Sequence, residues 1–407
     1  MGQYLSFPAT KKTTESGSNS RLFFALSEMQ GWRAGMEDAH AAILDLDGNG
    51  EQSNAFFAVY DGHGGPATAK FAGQNVHKRL ISEQSYADKN YEAALKRAFL
   101  GTDEDLLAIP VNPKTNIRDG SGCTAIAALV TPDNKIYVAN AGDSRSVIGI
   151  KGEVKDLSFD HKPTNYSERT RINAAGGRVQ GGRVDGNLAL SRALGDFEYK
   201  KNKSLGPEAQ MITANPDVRS HQITEEDEFL VLACDGIWDC LTSQQVIDYI
   251  RYHVSKGKEL PEICEMLFEY CLAPDVEGNQ IGCDNMSIII VAITHGRTKK
   301  EWYKWVTKRV KSGHGYKTPS KSPELYSESR LRMFRQKREG FEARERLRAP
   351  KPEPPKYGVI GGMLTSARKK IGSWSNSWRT SVVSVLFIAL LSLAFTFVYT
   401  TWARRYL

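Results

Sequence analysis

Residues 55–65 read AFFAVYDGHGG, from Ala55 to Gly65. The six apolar residues Ala55 to Tyr60 have strand length and end at a glycine-rich turn, the pattern of a strand buried on both faces. Asp61 is thereby delivered at the end of a buried strand. Gly62 beside it lets the backbone turn sharply and brings a carbonyl within reach of a ligand. The pattern recurs at Phe229 to Gly236 (FLVLACDG), which puts Asp235 at the end of a second apolar run. Asp284 stands in the opposite position, just before the run Met286 to Ile293. An antiparallel arrangement brings that strand start to the same sheet edge as the two strand ends, so three carboxylates converge. Asp143, after Ile136 to Ala139, is a fourth candidate, and Glu37 with Asp38 a further pair. A single Asp-Gly is most often a plain turn; three carboxylates that each abut a strongly apolar strand point to ligation. Like charges held together need a cation, and oxygen-only ligands select hard ions such as Mg²⁺ or Mn²⁺.

His63 follows two residues after Asp61, in a loop with little side-chain cover, where it is accessible as a proton donor near neutral pH. Arg33, ahead of Glu37, can grip a phosphate with two parallel hydrogen bonds. Taken alone, a histidine is usually structural and an arginine usually forms a surface ion pair. Beside a cluster of hard-metal ligands they describe metal-assisted hydrolysis of a phosphate ester.

Working outward, the chain has 407 residues, 41% hydrophobic and 25% charged, which excludes disorder throughout and collagen-like repeats. Six cysteines without CxxC pairs indicate neither a disulfide scaffold nor a structural zinc site; reduced thiols in a cytosol-facing protein fit them. The net charge of +7 hides an asymmetry: residues 1–296 carry −11 and residues 297–380 carry +16. Residues 21–296 read as one mixed α/β domain. Its apolar runs are Leu22 to Leu26, Ala55 to Tyr60, Cys123 to Val130, Ile136 to Ala139, Phe229 to Cys234 and Met286 to Ile293. Short turn signals between the middle runs predict a largely antiparallel meander. Helices are predicted at Pro66 to Ile81, at Ser243 to Ser255 behind a Thr242/Gln245 capping box, and at Pro261 to Leu272.

Residues 1–20 are polar, lack a signal peptide and read as a flexible arm; Gly2 and Ser6 match an N-myristoylation pattern. Residues 297–381 read as a basic, partly disordered linker with one helix at Pro323 to Arg348, its charge suited to anionic lipid. Val382 to Trp402 is 21 residues without a charge, about 31 Å as a helix, which matches the hydrocarbon core of a bilayer. Trp378, Tyr399 and Trp402 flank it as interface anchors, with Arg379, Arg404 and Arg405 outside. This predicts a single transmembrane helix used as a tail anchor, with the bulk of the chain in the cytosol. Endoplasmic reticulum, nuclear envelope and mitochondrial outer membrane are all compatible with it.

Residues 22–296 also resemble the metal-dependent type 2C protein serine/threonine phosphatases. The resemblance rests on six motifs in the family's order: GWRAGMEDAH (31–40), VYDGHGG (59–65), VANAGDSR (138–145), LSRALGDF (190–197), ACDGIWD (233–239) and DNMSIIIV (284–291). It implies an α+β fold, a four-layer αββα sandwich of two mostly antiparallel sheets flanked by helices, with the metals at one edge. Carried over by position, it implies that Asp61 bridges two Mg²⁺ or Mn²⁺ ions, with Gly62 offering its carbonyl. Asp235 and Asp284 then complete one shell, and Glu37 and Asp38 hold metal-bound waters. Asp143 and Asp239 match a third, weaker metal position. Arg33 is expected to bind the substrate phosphate, and His63 to protonate the leaving seryl or threonyl oxygen after attack by a metal-activated hydroxide. The implied partners are phosphoprotein substrates, acted on by a monomeric catalytic domain. Cys123 and Cys283 sit close enough to these motifs for oxidation to be expected there. Two rivals are a catalytically dead phosphoprotein-binding module and a two-metal enzyme of another class, a nuclease or small-molecule phosphatase. The first predicts missing ligands, and none is missing; the acidic domain speaks against the second, so nucleic acid is not expected.

Overall fold

The computed structural model describes residues 4–109, 120–277 and 280–348. In chain order the main strands are β1 (Tyr4–Ser18), β2 (Leu22–Arg33), β3 (Ala39–Ile43), β4 (Ala55–Tyr60), β5 (Ala125–Val130), β6 (Lys135–Ala141), β7 (Arg145–Ile150), β8 (Glu153–Asp156), β9 (Asp217–Gln222), β10 (Asp227–Ala233) and β11 (Met286–Ile293). They form two sheets, in the orders β1-β2-β11-β10-β7-β8 and β9-β6-β5-β4-β3, with every neighbouring pair antiparallel. The main helices are α1 (Ala67–Ser82), α2 (Tyr91–Ala108), α3 (Tyr166–Ala174), α4 (Ser243–Ser255), α5 (Leu260–Cys271), α6 (Lys299–Ser312) and α7 (Glu328–Arg348).

The strand β11 explains why these sequences read as unbroken apolar runs. Ile289, Val291 and Ile293 face the second sheet, where they meet Phe57, Val59 and Ile126. Ile288 and Ile290 face the other way, into the helical layer of α4 and α5 with Ile247, Ile250, Leu267 and Phe268. On the far side of the second sheet, Phe56, Ala58 and Tyr60 of β4 pack on α1 and α2 through Val76, Leu80 and Phe99. Both sheets are therefore covered on both faces, and a strand covered on both faces carries no polar alternation. The layers are helix, sheet, sheet, helix, as the resemblance implied.

The expected boundaries change at both ends. Residues 4–18, expected within a flexible arm, form β1 and pair with β2 from Tyr4↔Arg33 to Ser18↔Phe23, with irregularities at Ala9 and Lys12. The edge strand is held by its ladder and by contacts such as Thr14 Oγ1 to Glu265 at 2.7 Å, so it needs no apolar run. Residues 299–312, assigned to the linker, form α6 behind a Thr298/Glu301 capping box, and Trp302 and Val306 are fully buried. The compact unit extends to Arg338, within α7. Among the described residues no helix is long and apolar enough to cross a membrane. Gly2 and Val382 to Trp402 lie outside the described residues.

One buried network ties α3 to Ser191 and Arg192. Glu168 of α3 is 1% exposed and accepts from Arg171, Arg192 and Ser191, each at 2.7 Å. Burial works to raise its pKa, but the two arginines and the hydroxyl outweigh it and hold the carboxyl down at about 2. Glu168→Gln leaves two buried guanidinium groups short of a charge, so a loss of roughly 3 kcal/mol in urea unfolding at neutral pH is expected. A depressed carboxylate stabilises the fold above its unfolded value of 4.5, and that contribution disappears as pH falls towards about 2. The gap between variant and parent should therefore narrow over that window; a constant gap would remove the charge from the explanation.

Candidate metal and catalytic site

Antiparallel pairing puts the end of β4, the end of β10 and the start of β11 at one edge of the sandwich. A cavity of about 530 Å³ opens there, and Asp61, Asp235, Asp284, Asp143, Glu37, Gly62, Arg33 and His63 all line it. The convergence expected from the strand ends is thus present in the fold. Asp38 is placed differently: it is buried behind the cavity wall, where its Oδ2 accepts from Ser287 Oγ at 2.7 Å. Asp239 caps the single turn Asp235–Trp238 one turn beyond Asp235.

The repeated Asp-Gly has a steric cause. A Cβ at Gly62 would stand 2.1 Å from the Glu37 carbonyl oxygen, and one at Gly236 would stand 2.0 Å from that of Asn285. In both places glycine admits close passage of a neighbouring chain rather than an unusual backbone angle. Asp61 is fixed by Thr124, whose N–H donates to the Asp61 carbonyl at 2.9 Å and whose hydroxyl accepts from the Asp61 N–H at 3.2 Å. Asn285 holds the loop that carries Arg33 and Glu37. Its amide donates to the carbonyls of Gln30 (2.7 Å) and Gly35 (3.0 Å), and its oxygen accepts from the Glu37 N–H (2.9 Å).

The carboxylates oppose one another. Burial first, then Asp235, Asp38, Asp284 and Asp143, pushes Asp61 well above the usual carboxylate range. Asp235 is raised in the same way by burial and by Asp143, Asp284 and Asp239. Burial also lifts Asp239, and it takes Asp38 up to about 7. Cations of the chain meet two of the group: Arg33 donates to Asp284, and Lys162 to Asp143. The Arg33 Nε is buried without a partner, and so is Asp38 Oδ1. Among the described residues no three His, Cys, Asp or Glu side chains close into a cage that would hold an ion unaided. The donors are nonetheless oxygen atoms that repel one another around one cavity, with a carbonyl and room for water. That set fits a hard divalent ion that keeps part of its hydration shell.

His63 has a partner that the sequence did not disclose. Its Nε2 lies 2.8 Å from Asp196 Oδ2, across 133 residues of chain. Asp196 is 4% exposed and sits in the left-handed region at φ 50°. Burial pulls the His63 pKa down, but the hydrogen bond and charge of Asp196 outweigh it and leave the imidazole raised. If His63 is the acid of the reaction, Asp196→Asn should lower kcat by about 10²-fold. The variant removes what raises the imidazole, so the alkaline limb of the pH–rate profile should move to lower pH. An unshifted limb would separate His63 from proton transfer.

The fold also adds Arg183, residues 187–190 and Asn285 to the cavity lining, and Lys162 as the partner of Asp143. Of these only Asn285 stood beside a predicted ligand. The oxidation expected at Cys123 and Cys283 loses its basis: burial pushes Cys123 far up and Cys283 to about 11, so neither is a ready thiolate.

The matching family model, Protein phosphatase 2C, spans residues 23–280. Protein phosphatase 2C homolog 2 of Hypocrea jecorina is 50% identical over 336 residues, covering 81% of this chain and 75% of that protein. The protein of the same name from Schizosaccharomyces pombe is 50% identical over 327 residues, covering 80% and 87%. A crystal structure of a phosphatase from Toxoplasma gondii superposes with a TM-score of 0.57 at 27% identity, covering 70% of this chain and 96% of that one. Fold and comparisons together define a hydrolase, a protein phosphatase. The chain belongs to the protein phosphatase 2C family.

Proposed function

We propose that the chain removes phosphate from phosphoserine and phosphothreonine in proteins, using Mg²⁺ or Mn²⁺, and that it does so tethered to a membrane. The observation that carries the catalytic part is the group of mutually repelling carboxylates around the 530 Å³ cavity. Asp61, the Gly62 carbonyl, Asp235 and Asp284 would hold two ions, Glu37 and Asp38 their waters, and Asp143 with Asp239 a weaker third. Ions there lower the pKa of bound water and offset charge on phosphate. Arg33 orients the substrate phosphate through its guanidinium. Asp196 takes the Nε2–H of His63, which leaves Nδ1 as the ring atom that exchanges a proton with the leaving oxygen. The domain is read as monomeric and as acting without nucleic acid.

The deciding experiment is phosphate release from a phosphothreonine peptide by the full chain with Mn²⁺ or Mg²⁺ and with EDTA. Metal-dependent turnover is expected; bound metal without turnover would make the chain a phosphoprotein-binding module instead. The tether is supported by the uncharged segment Val382 to Trp402 and by the basic residues before it. It puts the catalytic domain on the cytosolic face of the endoplasmic reticulum, nuclear envelope or mitochondrial outer membrane, with Gly2 acylation as a second attachment. Alkaline extraction should leave the full chain with membranes and release a chain ended at residue 381; release of both would refute the tether.

A further inference from the structure

The helix α6 has three faces with different fates. Trp302 and Val306 enter the core. Arg309 turns to Glu226 and Glu228, and Trp305 lies between Arg297 and Arg309, 4.5 and 4.0 Å from the two guanidinium carbons. The third face carries Lys300, Lys304, Lys308 and Lys311, all exposed. At 100° per residue they fall within a stripe about 80° wide and about 16 Å long. Together with Lys258 and Lys299 they ring a groove of about 1020 Å³ floored by Val254, Tyr303 and Thr307. Lys258 and Lys299 are engaged by Glu262 and Glu259. Among the described residues no carboxylate stands within ion-pair distance of the other four.

We propose that this stripe docks the catalytic domain onto anionic lipid headgroups of the bilayer that holds the chain. The inference rests on the membrane-tether reading above and adds the surface that meets the lipid. Charge selects the occupant, since four like charges without partners suit a polyanion. Residue type narrows it further. The free cations are lysines, compact point charges suited to a diffuse anionic surface, while the fork-shaped Arg309 is spent on carboxylates within the fold. Position agrees: α6 opens the segment 297–380, of net charge +16, that runs into the uncharged stretch 382–402. A chain held at the bilayer meets its surface at high effective concentration, so weak attraction per lysine suffices.

The test uses the full chain, reconstituted in phosphatidylcholine vesicles with or without about one third phosphatidylserine. Amine acetylation followed by mass spectrometry reads each lysine. Acetylation of Lys300, Lys304, Lys308 and Lys311 should slow about fivefold on the anionic vesicles and recover at high salt, while Lys96 on α2 stays unchanged. The combined variant Lys300→Gln, Lys304→Gln, Lys308→Gln and Lys311→Gln should keep its metal-dependent turnover on a soluble peptide yet lose the protection of Lys258 and Lys299 by anionic lipid. Flotation separates the two ideas. Chains that float with both vesicle types but show equal acetylation would overturn the docking and leave the tether intact. Chains that float with neither would refute both, and protection on anionic vesicles alone would support docking without the anchor. Protection by a soluble poly-glutamate peptide but not by phosphatidylserine would assign the face to an acidic protein and overturn the proposal.

Discussion

Asp61→Asn is expected to lower kcat by at least about 10³-fold, because on the proposed function Asp61 would hold the hydrolytic metal, a role worth several kcal/mol, and each 1.36 kcal/mol is tenfold in rate. The same variant, stripped with EDTA, should unfold later than the parent by about 1 kcal/mol or more. Asp61 is raised well above its unfolded value of 3.8 by burial and by Asp235, Asp38, Asp284 and Asp143. A carboxyl raised in the folded state costs stability at pH above its unfolded pKa and costs nothing well below it. The gain of the variant should therefore vanish in acid below the unfolded value and grow as pH rises above it towards the raised folded value. Added Mn²⁺ should reverse the order, since ligand binding to the folded parent stabilises it by mass action. A variant that is inactive and equally destabilised with and without metal would mean that Asp61 supports the fold rather than the ion.

The second large effect lies far from the cavity. A chain ended at residue 296, the boundary suggested by composition, is expected not to fold stably, and Trp302→Ala should cost about 3–5 kcal/mol. Trp302 is fully buried, meets Phe23 edge-to-face at 5.0 Å, and donates its Nε1–H to the Glu228 carbonyl at 3.1 Å. Beneath it Glu228 and Arg251, both fully buried, stand 2.8 Å apart, and Arg309 of α6 reaches the same carboxylate at 3.3 Å. Arg251 also donates to the Tyr316 carbonyl at 3.0 Å. Cutting before α6 removes Arg309 and that carbonyl together and leaves a buried pair short of its partners. Urea unfolding of the shortened chain and of Trp302→Ala reads both effects; an unchanged midpoint would return residues 297–312 to a linker.

These two cases mark where the sequence was legible. Ala55–Tyr60, Met286–Ile293 and Ser243–Ser255 have the predicted bounds. Each carries its evidence locally, in an unbroken apolar run or a cap such as Thr242, which accepts from Gln245 and receives its side chain in return. The carboxylates that line the cavity were legible for the same reason, as charged residues at the ends of runs that must be buried. β1 was not. It lies at a sheet edge with half its side chains towards solvent, and a ladder of backbone hydrogen bonds leaves no mark on composition.

Sequence alone determined the buried strands and the edge at which carboxylates gather, because hydrophobic period and charge density are properties of neighbours in the chain, while the order of the layers came from the likeness of the motifs to a known family. Tertiary structure decided what each group is worth. It gave His63 its Asp196, set Asn285 to hold the Arg33 loop, moved Asp38 behind the wall and made Trp302 part of the core. Those outcomes depend on residues far apart in the chain, 133 positions for His63 and Asp196 and 255 for Asn285 and Gln30. A hydrogen bond or a burial depth belongs to that meeting, so no local pattern encodes it.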